Sequence, residues 1–429
     1  MKNDDRHNDR EPYAAYIGID RADRKIDTAL IDAPGTNLGH RVVDTKPADL
    51  KAWILGVAAR FPGRRVAICI EQPCANLISF LSAFEFVDIY PINPVSLKRW
   101  REAFVLSHAK DDKGDSRHLA ELVRERHHML KRWAPDDAHT RKLRHLTEAR
   151  RTLVGERTRL TNRLTAHLKD YFPLALEVTG KHLHGQLACR FLRKWPTLGK
   201  LQRTGEATVR DFYHRNASRR QPTIDKRIAA IAAGVPLTED PAILETAPLA
   251  TNAIAAQLDA IRAGVEKFDA EIEKVFAEHE DHAIFASLPG AGPNFGARLA
   301  AAFGTDRSRY ADAAGAQKFL GVAPVTVQSG NSKRVHRRFA CPKFHRQTLI
   351  EWAGQTVTKS TWARAYYLQQ RAKGAKRFTA LRALAYKWLR IIFRCWQDRA
   401  PYDEARYIAG LKKAGSPLVH NIETAGKAA

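Results

Sequence analysis

Residues 15–20 (Ala-Tyr-Ile-Gly-Ile-Asp) and residues 66–71 (Val-Ala-Ile-Cys-Ile-Glu) are two short apolar runs that each end in an acid. Continuous apolar runs of this length are typical of strands buried on both faces of a sheet. Strand-like residues also occur at 27–31, 41–44 and 87–90, and helical spacing occurs at 50–61, 75–86, 94–104 and 112–127. This alternating order predicts an α/β domain over residues 13–130.

The remainder of the chain is predicted to be mostly helical. Leucines recur at helical spacing over 137–170 with arginines between them, which favours a long basic amphipathic helix that forms a coiled coil. The alternative is an ordinary helix with solvated arginines. The same periodicity returns over 249–279, so an antiparallel helical hairpin is expected. The predicted bounds are a disordered lead at 1–12, a coiled-coil or helical region at 137–280 with a basic insert at 171–245, a mostly α-helical C-terminal domain at 284–407 and a disordered tail at 412–429.

The 429 residues carry a formal net charge of +25, and arginines are spread along the chain. A protein this basic favours a polyanionic partner, because each neutralised phosphate releases counterions. A basic membrane-surface protein is the alternative, but it would show one Lys-rich amphipathic helix. No stretch approaches the roughly 20 apolar residues of a membrane span. The composition therefore favours nucleic acid and no membrane.

Five scattered cysteines form no C-x-x-C pair. This argues against both a disulfide framework and a structural zinc site. The polar N-terminal residues are not typical of a signal peptide. The cytoplasm is therefore the expected compartment.

Four acids stand where a metal site would need them. Asp20 and Glu71 end two predicted strands, and strand ends are where sites collect in α/β sheets. Asp112 and Asp115 are three residues apart at a helix start and so share a face. Divalent cations with oxygen ligands neutralise such clusters and act on phosphodiesters. The alternative for the helical pair is a favourable interaction with the helix dipole.

A second candidate site lies in the stretch 321–338, which contains two serines on a predicted Gly/Asn loop. Ser329 and Ser332 flank Gly-Asn beside a basic cluster. Cations lower the pKa of a nucleophilic serine and stabilise the transition state of its attack on phosphorus. The alternative is a phosphate-binding loop with turn serines. The cluster consists of Lys333, Arg334, Arg337 and Arg338.

Two further features suggest contacts with nucleic acid. Residues 288–293 (Leu-Pro-Gly-Ala-Gly-Pro) precede an apolar helix, as in helix–hairpin–helix motifs, where amides after Gly290 and Gly292 face a DNA phosphate. A plain interhelical turn is the alternative. Arg150 and Arg157 on the first long helix are candidate phosphate ligands.

Five motifs in order resemble the DEDD transposases of the insertion-sequence one-ten family, bacterial recombinases related to the Piv and MooV invertases. The motifs are residues 16–20, 68–71, 110–115, 288–293 and 329–332, and the resemblance covers about 14–130 and 284–407. The family usually has Thr where Asp111 stands, so Asp111 is an alternative to Asp112 as the third acid. Spacing to Asp115 favours Asp112.

The resemblance implies an RNase H/RuvC-like N-terminal domain in which Asp20, Glu71, Asp112 and Asp115 coordinate Mg²⁺, or Mn²⁺ in its place. It implies a coiled-coil region and a C-terminal transposase domain with Ser329 as nucleophile. Family members exchange DNA strands through a covalent 5′-phosphoserine intermediate, in tetramers whose active sites combine the acids of one protomer with the serine of another. Some members select target and donor DNA with a bridge RNA. A dimer to tetramer acting at the bacterial nucleoid is therefore expected.

Two other functions stay open. In a RuvC-like nuclease or Holliday junction resolvase, a metal-bound water attacks and the C-terminal domain only binds DNA. In a non-catalytic protein descended from a transposase, RNA or DNA is bound but not cut. The intact set of acids and Ser329 argue against the second alternative.

Overall fold

The computed structural model describes residues 13–71, 75–104 and 112–427, without the side chains of 99, 101–104, 112, 113 and 423–427. The predicted disordered lead at 1–12 lies outside the described residues. The chain divides into two compact units, residues 1–135 and residues 136–429.

The first unit contains a five-stranded mixed sheet. Its elements are β1 (Ala15–Arg21), β2 (Lys25–Ile31), β3 (Asn37–Asp44), α1 (Pro47–Arg60), β4 (Val66–Glu71), α2 (Ala75–Leu81), β5 (Val87–Ile92), α3 (Pro94–Phe104) and α4 (Asp112–Arg126). The strand order is β3-β2-β1-β4-β5. β1 pairs antiparallel with β2 and parallel with β4. The predicted α/β architecture is confirmed, and the two acid-tipped strands are neighbours at its centre.

The central strands are fully apolar because both faces of the sheet are covered. Alternate residues of β1 and β4 pack on α1 in one buried layer, whose members include Ile17, Ile19, Ile68, Ile70, Trp53 and Ile54. The intervening residues pack on α4 in a second layer, whose members include Tyr16, Ala67, Cys69, Leu119, Ala120 and Val123. The unit therefore has three layers, with the sheet in the middle.

Two long helices pair in the second unit, α5 (Ala138–Tyr171) and α11 (Pro241–Ala277). At one end the Tyr171 hydroxyl lies 2.7 Å from the Thr251 hydroxyl. At the other end the Thr140 hydroxyl lies 3.0 Å from Nε2 of His279, just after α11. The pair is therefore antiparallel, in agreement with the hairpin expected from the two helical patterns.

The segment between these helices has a hydrophobic core of its own. It contains α6 (Ala175–Val178), α7 (Gln186–Lys194), α8 (Leu198–Gln202), α9 (Glu206–Arg215) and α10 (Gln221–Ala232). Phe191, Trp195 and Tyr213 are buried in this core together with Leu164 and Leu168 of α5. The basic insert is therefore a packed helical module that is joined to the long helices.

The C-terminal part is helical around four buried tryptophans. Its elements are α12 (His282–Ala286), α13 (Gly292–Phe303), α14 (Ala313–Phe319), β6 (Val325–Ser329), β7 (Ser332–His336), α15 (Lys343–Thr356), α16 (Thr361–Ala372), α17 (Arg377–Gln397), α18 (Glu404–Lys413) and α19 (Leu418–Lys427). The tryptophans are Trp352, Trp362, Trp388 and Trp396. The predicted mostly helical architecture of this region is confirmed.

The structure differs from the sequence prediction at the C-terminus. The expectation of disorder from residue 412 is wrong for the described part of the tail, which ends in α19. Leu418 is buried and Ile422 packs partly against the tryptophan-containing core. These residues are four apart and therefore share one side of a helix, which gives the tail a face to bury. None of the helices in the described ranges is long and apolar enough to cross a membrane.

Candidate functional site

Asp20 and Glu71 lie side by side near the carboxyl ends of β1 and β4. The parallel ladder pairs Ile19 with Ile70. One residue further along, the two acids hold equivalent positions on strands about 4.8 Å apart. Residue alternation places both on the side of the sheet that α4 covers. The structure thus brings the first two predicted acids together.

Helix α4 lies directly against β1 because Gly18 has no side chain. A Cβ atom at Gly18 would lie 1.8 Å from the carbonyl oxygen of Ser116. The helix runs antiparallel to β1, since the ring of His127, just after α4, lies 5.9 Å from that of Tyr16. The first turn of α4 therefore lies at the same end of the sheet as Asp20.

That first turn carries the other predicted acids. Asp115 is 7% exposed. Asp112 begins α4, but its side chain and the whole of Asp111 lie outside the described residues. Among the side chains that are described, no three of His, Cys, Asp or Glu converge closely enough to hold a metal ion. Asp20, Glu71 and Asp115 thus share one end of the sheet without forming a closed metal cage by themselves.

The donor chemistry at this end of the sheet suits a hard divalent cation. The predicted ligands are carboxylates, whose oxygen atoms Mg²⁺ and Mn²⁺ accept. Among the described cysteines, Cys69 lies on the same face of β4, two residues before Glu71. Burial raises the pKa of Cys69 to about 12, so its thiolate is not available as a soft ligand.

Sequence reasoning missed Asp27 on β2, which lies directly opposite Asp20 in the antiparallel ladder. Its side chain is 8% exposed, and its carboxylate lies 3.4 Å from Nε2 of His40 and 3.7 Å from Nζ of Lys25. Like charges on opposite residues destabilise a sheet, and the Lys25 ammonium group offsets part of that repulsion. The alternation of residues along β2 places Asp27 on a buried face of the sheet. This pattern could have identified Asp27 from the sequence.

Ser329 and Ser332 lie on an exposed β-hairpin where the sequence predicted a loop. They end β6 and begin β7, and they pair directly with one another. Gly330 between them has φ of +52°, as the first central position of a type II′ turn requires. The Val-Thr-Val run of β6 has strong strand preference, and this outweighed the polar character that suggested a loop.

Cross-strand pairing gives the hairpin two different faces. Ser329 and Ser332 share one face with Arg334 and His336, whereas Lys333 lies on the other. Every residue of β7 is exposed. One hairpin face therefore offers two hydroxyl groups beside a permanent cation.

The two remaining arginines of the cluster lie just beyond β7. The Arg337 guanidinium lies 4.7 Å from the ring centroid of Phe339. The carbonyl of Arg338 accepts a hydrogen bond of 2.6 Å from Arg346. Both contacts shape the chain after the hairpin, so this basic segment is anchored to the body of the unit.

The Gly-rich turn between α12 and α13 has the backbone that its sequence predicted. Gly290 and Gly292 have φ of +69° and +52°, values that glycine adopts readily. Gly292 begins α13 at an exposed position, whereas residues 296–303 of that helix are buried. The helix is therefore fixed in the core with its N-terminus at the surface, where its amides suit a phosphate.

The two arginines predicted on α5 differ in availability. Arg150 forms a bidentate pair with Asp269 of α11, with Nη2 3.1 Å from Oδ2 and Nε bonded to Oδ1. This ion pair engages Nε and Nη2 of Arg150. The nucleic-acid role of Arg150 stays a prediction. Arg157 instead borders a groove of about 580 Å³.

Two family models match the chain. A model for DEDD transposases of the IS110 type, described as transposase, matches residues 17–173. A second, described as the transposase IS116/IS110/IS902 family, matches residues 282–368. The first match includes the sheet end with Asp20 and Glu71, and the second includes the hairpin with Ser329.

Related proteins are similar over nearly the whole chain. The candidate mini-circle transposase of IS117 from Streptomyces coelicolor is 29% identical over 416 residues, 95% of this chain and 99% of that protein. The protein of insertion element IS110 from the same species is 26% identical over 416 residues, again 95% and 99%. The protein of insertion element IS116 from Streptomyces clavuligerus is 27% identical over 397 residues, 91% and 96%.

The family models thus match both parts of the chain in the order that the sequence motifs predicted, and the relatives join those parts into one protein. On these grounds the chain belongs to the IS110/IS116/IS902 family of insertion-sequence transposases, which are DNA-recombining enzymes.

Proposed function

We propose that this transposase exchanges DNA strands in a Mg²⁺-dependent reaction, with Ser329 as nucleophile and Asp20, Glu71, Asp112 and Asp115 as metal ligands. The observation that carries the proposal is that Asp20, Glu71 and Asp115 lie at the same end of the first unit's sheet. This arrangement of the acids results from the register of β1 with β4 and from the close approach of α4 at Gly18. Neighbouring carboxylates repel one another, so a bound cation would stabilise this arrangement.

The sheet order supports the RNase H/RuvC-like fold that the family resemblance implies. The strand that carries Asp20 has an antiparallel neighbour on one side and the Glu71 strand, parallel to it, on the other. When bound by the acids, Mg²⁺ would supply Lewis-acid stabilisation of charge on the phosphodiester oxygens. The acids themselves hold the ion at the sheet end, where α4 and the neighbouring strands fix their backbone.

The hairpin supplies the nucleophile in this proposal. Its exposure gives Ser329 access to a DNA strand. Arg334 lies on the same face of the hairpin and carries a guanidinium group. It therefore favours the ionised serine oxygen and the charge that develops on the phosphate.

The proposed reaction has two balanced steps. The Ser329 oxygen forms a bond to phosphorus, the bond from phosphorus to the 3′ oxygen breaks, and the serine proton is lost while the leaving oxygen gains one. This leaves a 3′-hydroxyl and a 5′-phosphoserine. The 3′-hydroxyl of a second strand then attacks the phosphoserine, which restores the serine and joins the strands without an external energy source.

The partners in this proposal are target DNA, donor DNA and a bridge RNA. The net charge of +25 supports a large phosphate-binding surface. We further propose a dimer-to-tetramer in which the acids of one protomer act with the serine of another, and a coiled-coil role for the paired long helices. Work on chromosomal DNA would bring the protein to the nucleoid.

Trapping of the covalent intermediate tests this proposal. DNA labelled at its 3′ ends is incubated with protein, Mg²⁺ and the RNA of the element, then resolved under denaturing conditions. Wild type and Ser332→Ala should give a labelled protein–DNA band, and Ser329→Ala should give none. Asp20→Asn and EDTA should also abolish the band.

Two results would overturn specific parts of the proposal. If Ser332→Ala removed the band and Ser329→Ala kept it, the nucleophile would be Ser332. If Ser329→Ala still cut DNA at the wild-type rate, the RuvC-like nuclease would be the better description, with a serine that only contacts DNA.

A further inference from the structure

A polar groove on the second unit has no role in the proposed reaction. It lies between the middle of α5 and the loop that precedes α7, with a volume of about 580 Å³. Pockets for small ligands have volumes of about 300–1,000 Å³. Its polar lining includes Arg157, Thr161, Asn162, Thr165, Lys181 and His184. The loop residues lie between the two segments that the family models match.

The charge of the groove favours an anion. Arg157 and Lys181 are the cations in its lining, and Glu177 is the acid. Burial lowers the pKa of His184, and the nearby positive charge of Arg157 lowers it further. Within the described side chains, neither Arg157 nor Lys181 has a carboxylate within ion-pair distance. Their donors are thus available for a phosphate, which offers only acceptors.

The wall of the groove is built around a glycine. Gly180 lines the groove with φ of +86°, and a Cβ atom there would lie 2.7 Å from Nη2 of Arg227. The Arg227 guanidinium in turn lies 5.0 Å from the ring centroid of Tyr213 in the core of the insert. The absence of a side chain at Gly180 therefore leaves space for the Arg227 guanidinium beside this residue of the loop.

Three threonines on the α5 side present acceptors rather than donors. The hydroxyl groups of Thr158, Thr161 and Thr165 donate to the carbonyl oxygens four residues earlier, at 3.0, 2.7 and 2.8 Å. Their hydrogen atoms are thus directed to the helix backbone, and the lone pairs of their oxygens remain available to accept hydrogen bonds. A phosphate cannot bind to these oxygens, but a hydroxyl donor can.

We propose that this groove binds the ribose–phosphate backbone of RNA. Arg157, Lys181 and His184 contact phosphates, and the threonine oxygens accept hydrogen bonds from ribose 2′-hydroxyl groups. DNA carries the same phosphates but lacks the 2′-hydroxyl donor, so the α5 side of the groove distinguishes the two polymers. This inference rests on the proposed RNA partner and gives it a binding site that includes the helical insert.

Binding of two matched probes to the full-length protein tests the inference. The probes are a fluorescent 20-nucleotide oligouridine and an oligodeoxyuridine of the same length, which differ only at the 2′ position. Arg157→Gln with Lys181→Gln should weaken oligouridine binding at least tenfold. It should also reduce the slope of log K against log salt by about 1.4, since two phosphate contacts are lost at about 0.7 each.

Two further variants separate groove binding from general charge. Arg159→Gln with Arg163→Gln removes the same charge from the other side of α5, where both residues line a different groove, and should change affinity less than twofold. Thr161→Val with Thr165→Val should weaken oligouridine binding about fivefold and leave oligodeoxyuridine binding unchanged. Circular dichroism checks that each variant is folded.

The inference would be overturned by equal losses in the charge variant and its control, by equal losses of both probes in the threonine variant, or by no oligouridine binding of the wild type. The covalent band on DNA is measured separately from RNA affinity. A groove variant that keeps full RNA affinity refutes the groove, whereas Ser329→Ala that keeps its band refutes the proposed nucleophile.

Discussion

The two parts of the proposed active site are built in opposite ways. The acids of the first unit belong to a packed layer, where Asp115 is 7% exposed and Gly18 leaves no room for a methyl group. The serine of the second unit stands on a two-stranded hairpin that is exposed almost throughout. Metal ligands need fixed positions, whereas a nucleophile that forms and releases a covalent bond with DNA needs access.

This difference determines how function and stability are related in each unit. Around the acids, the same contacts that place the site also hold the sheet and α4 together. On the hairpin, the serine and its neighbouring cations make few contacts with the core. Substitutions should therefore affect folding and function together near the acids, and function alone on the hairpin.

The largest expected effect is the loss of recombination in Ser329→Ala. Removal of a catalytic nucleophile reduces the rate by about 10⁶-fold in a well-studied protease. Loss of a single group that stabilises the transition state costs about 10²–10³-fold, which is the range expected for Asp20→Asn. Recombination of a two-site plasmid, counted by quantitative PCR, measures both, with Ser332→Ala as the matched control.

Mixing these two inactive variants sharpens the comparison further. If acids and serine act from different protomers, Asp20→Asn and Ser329→Ala should restore part of the activity when combined. A mixture as inactive as either variant alone would show that each protomer needs both parts of its own site.

A large effect on stability is expected for Gly18→Ala. The added methyl group would meet the backbone of Ser116 at 1.8 Å, so the free energy of unfolding of the first unit should fall by about 3 kcal/mol, the upper end for overpacking. Gly330→Ala on the hairpin has a positive φ but open space. It should strain the turn and leave the main unfolding transitions unchanged in urea titrations.

Gly56→Ala supplies the control for this prediction. Gly56 lies inside α1, and apart from its chain neighbours and the backbone of its own helix, no described atom would lie within 4 Å of an added Cβ. Its replacement should stabilise the first unit by about 0.4–1 kcal/mol. Equal responses to Gly18→Ala and Gly56→Ala would mean that α4 does not lie against β1 in solution.

The sequence was sufficient to predict the elements that carry the acids. Residues 15–19 and 66–70 are apolar, and each run is followed directly by an acid. This pattern indicates central strands. Their adjacency, the register of Asp20 with Glu71 and the opposing Asp27 could not be read from the chain, because pairing depends on contacts between distant segments. Gly18 was part of a predicted motif. The requirement for glycine at this position comes from the close approach of α4, which only the structure shows.

The hairpin, the insert and the tail show where sequence reasoning was weakest. Residues 325–336 form two five-residue strands, too short for alternation to outweigh their basic character. Residues 171–245 form short helices. Each contains too few residues for a hydrophobic periodicity to be recognised in the sequence. The tail helix at Leu418–Lys427 depends on Leu418 meeting a core built from distant parts of the chain.

A medium effect is expected from Mg²⁺ on the stability of the two units. A ligand that binds only the folded state stabilises it by about 2.7 kcal/mol at one hundred times its dissociation constant. The first unit should therefore unfold at higher urea concentration with Mg²⁺, and Asp20→Asn should abolish this shift. Ser329→Ala should keep it in full. A shift that survives in Asp20→Asn would place the bound ion elsewhere.

The smallest expected effect concerns Asp137, which caps α5 in the second unit. Its carboxylate accepts hydrogen bonds from the amide and hydroxyl of Thr140, at 2.9 and 2.6 Å, and from the hydroxyl of Thr305 at 2.8 Å. Burial would raise the pKa of Asp137, but these hydrogen bonds outweigh it and hold the pKa at about 2. Asp137→Ala should lower the stability of the second unit by about 1 kcal/mol at pH 7.

The pH dependence of this effect follows from the direction of the pKa shift. Because the pKa is lower in the folded state than its ordinary value of 3.8, the charged cap contributes fully above about pH 4 and its contribution is lost as the pH falls towards 2. The difference in unfolding free energy between wild type and Asp137→Ala should shrink over that interval. Asp137→Asn keeps an acceptor but does not titrate, so its stability relative to Asp137→Ala should stay constant with pH. Covalent capture of DNA at pH 7 should survive in both variants, since the cap holds α5 in place without touching the hairpin that carries Ser329.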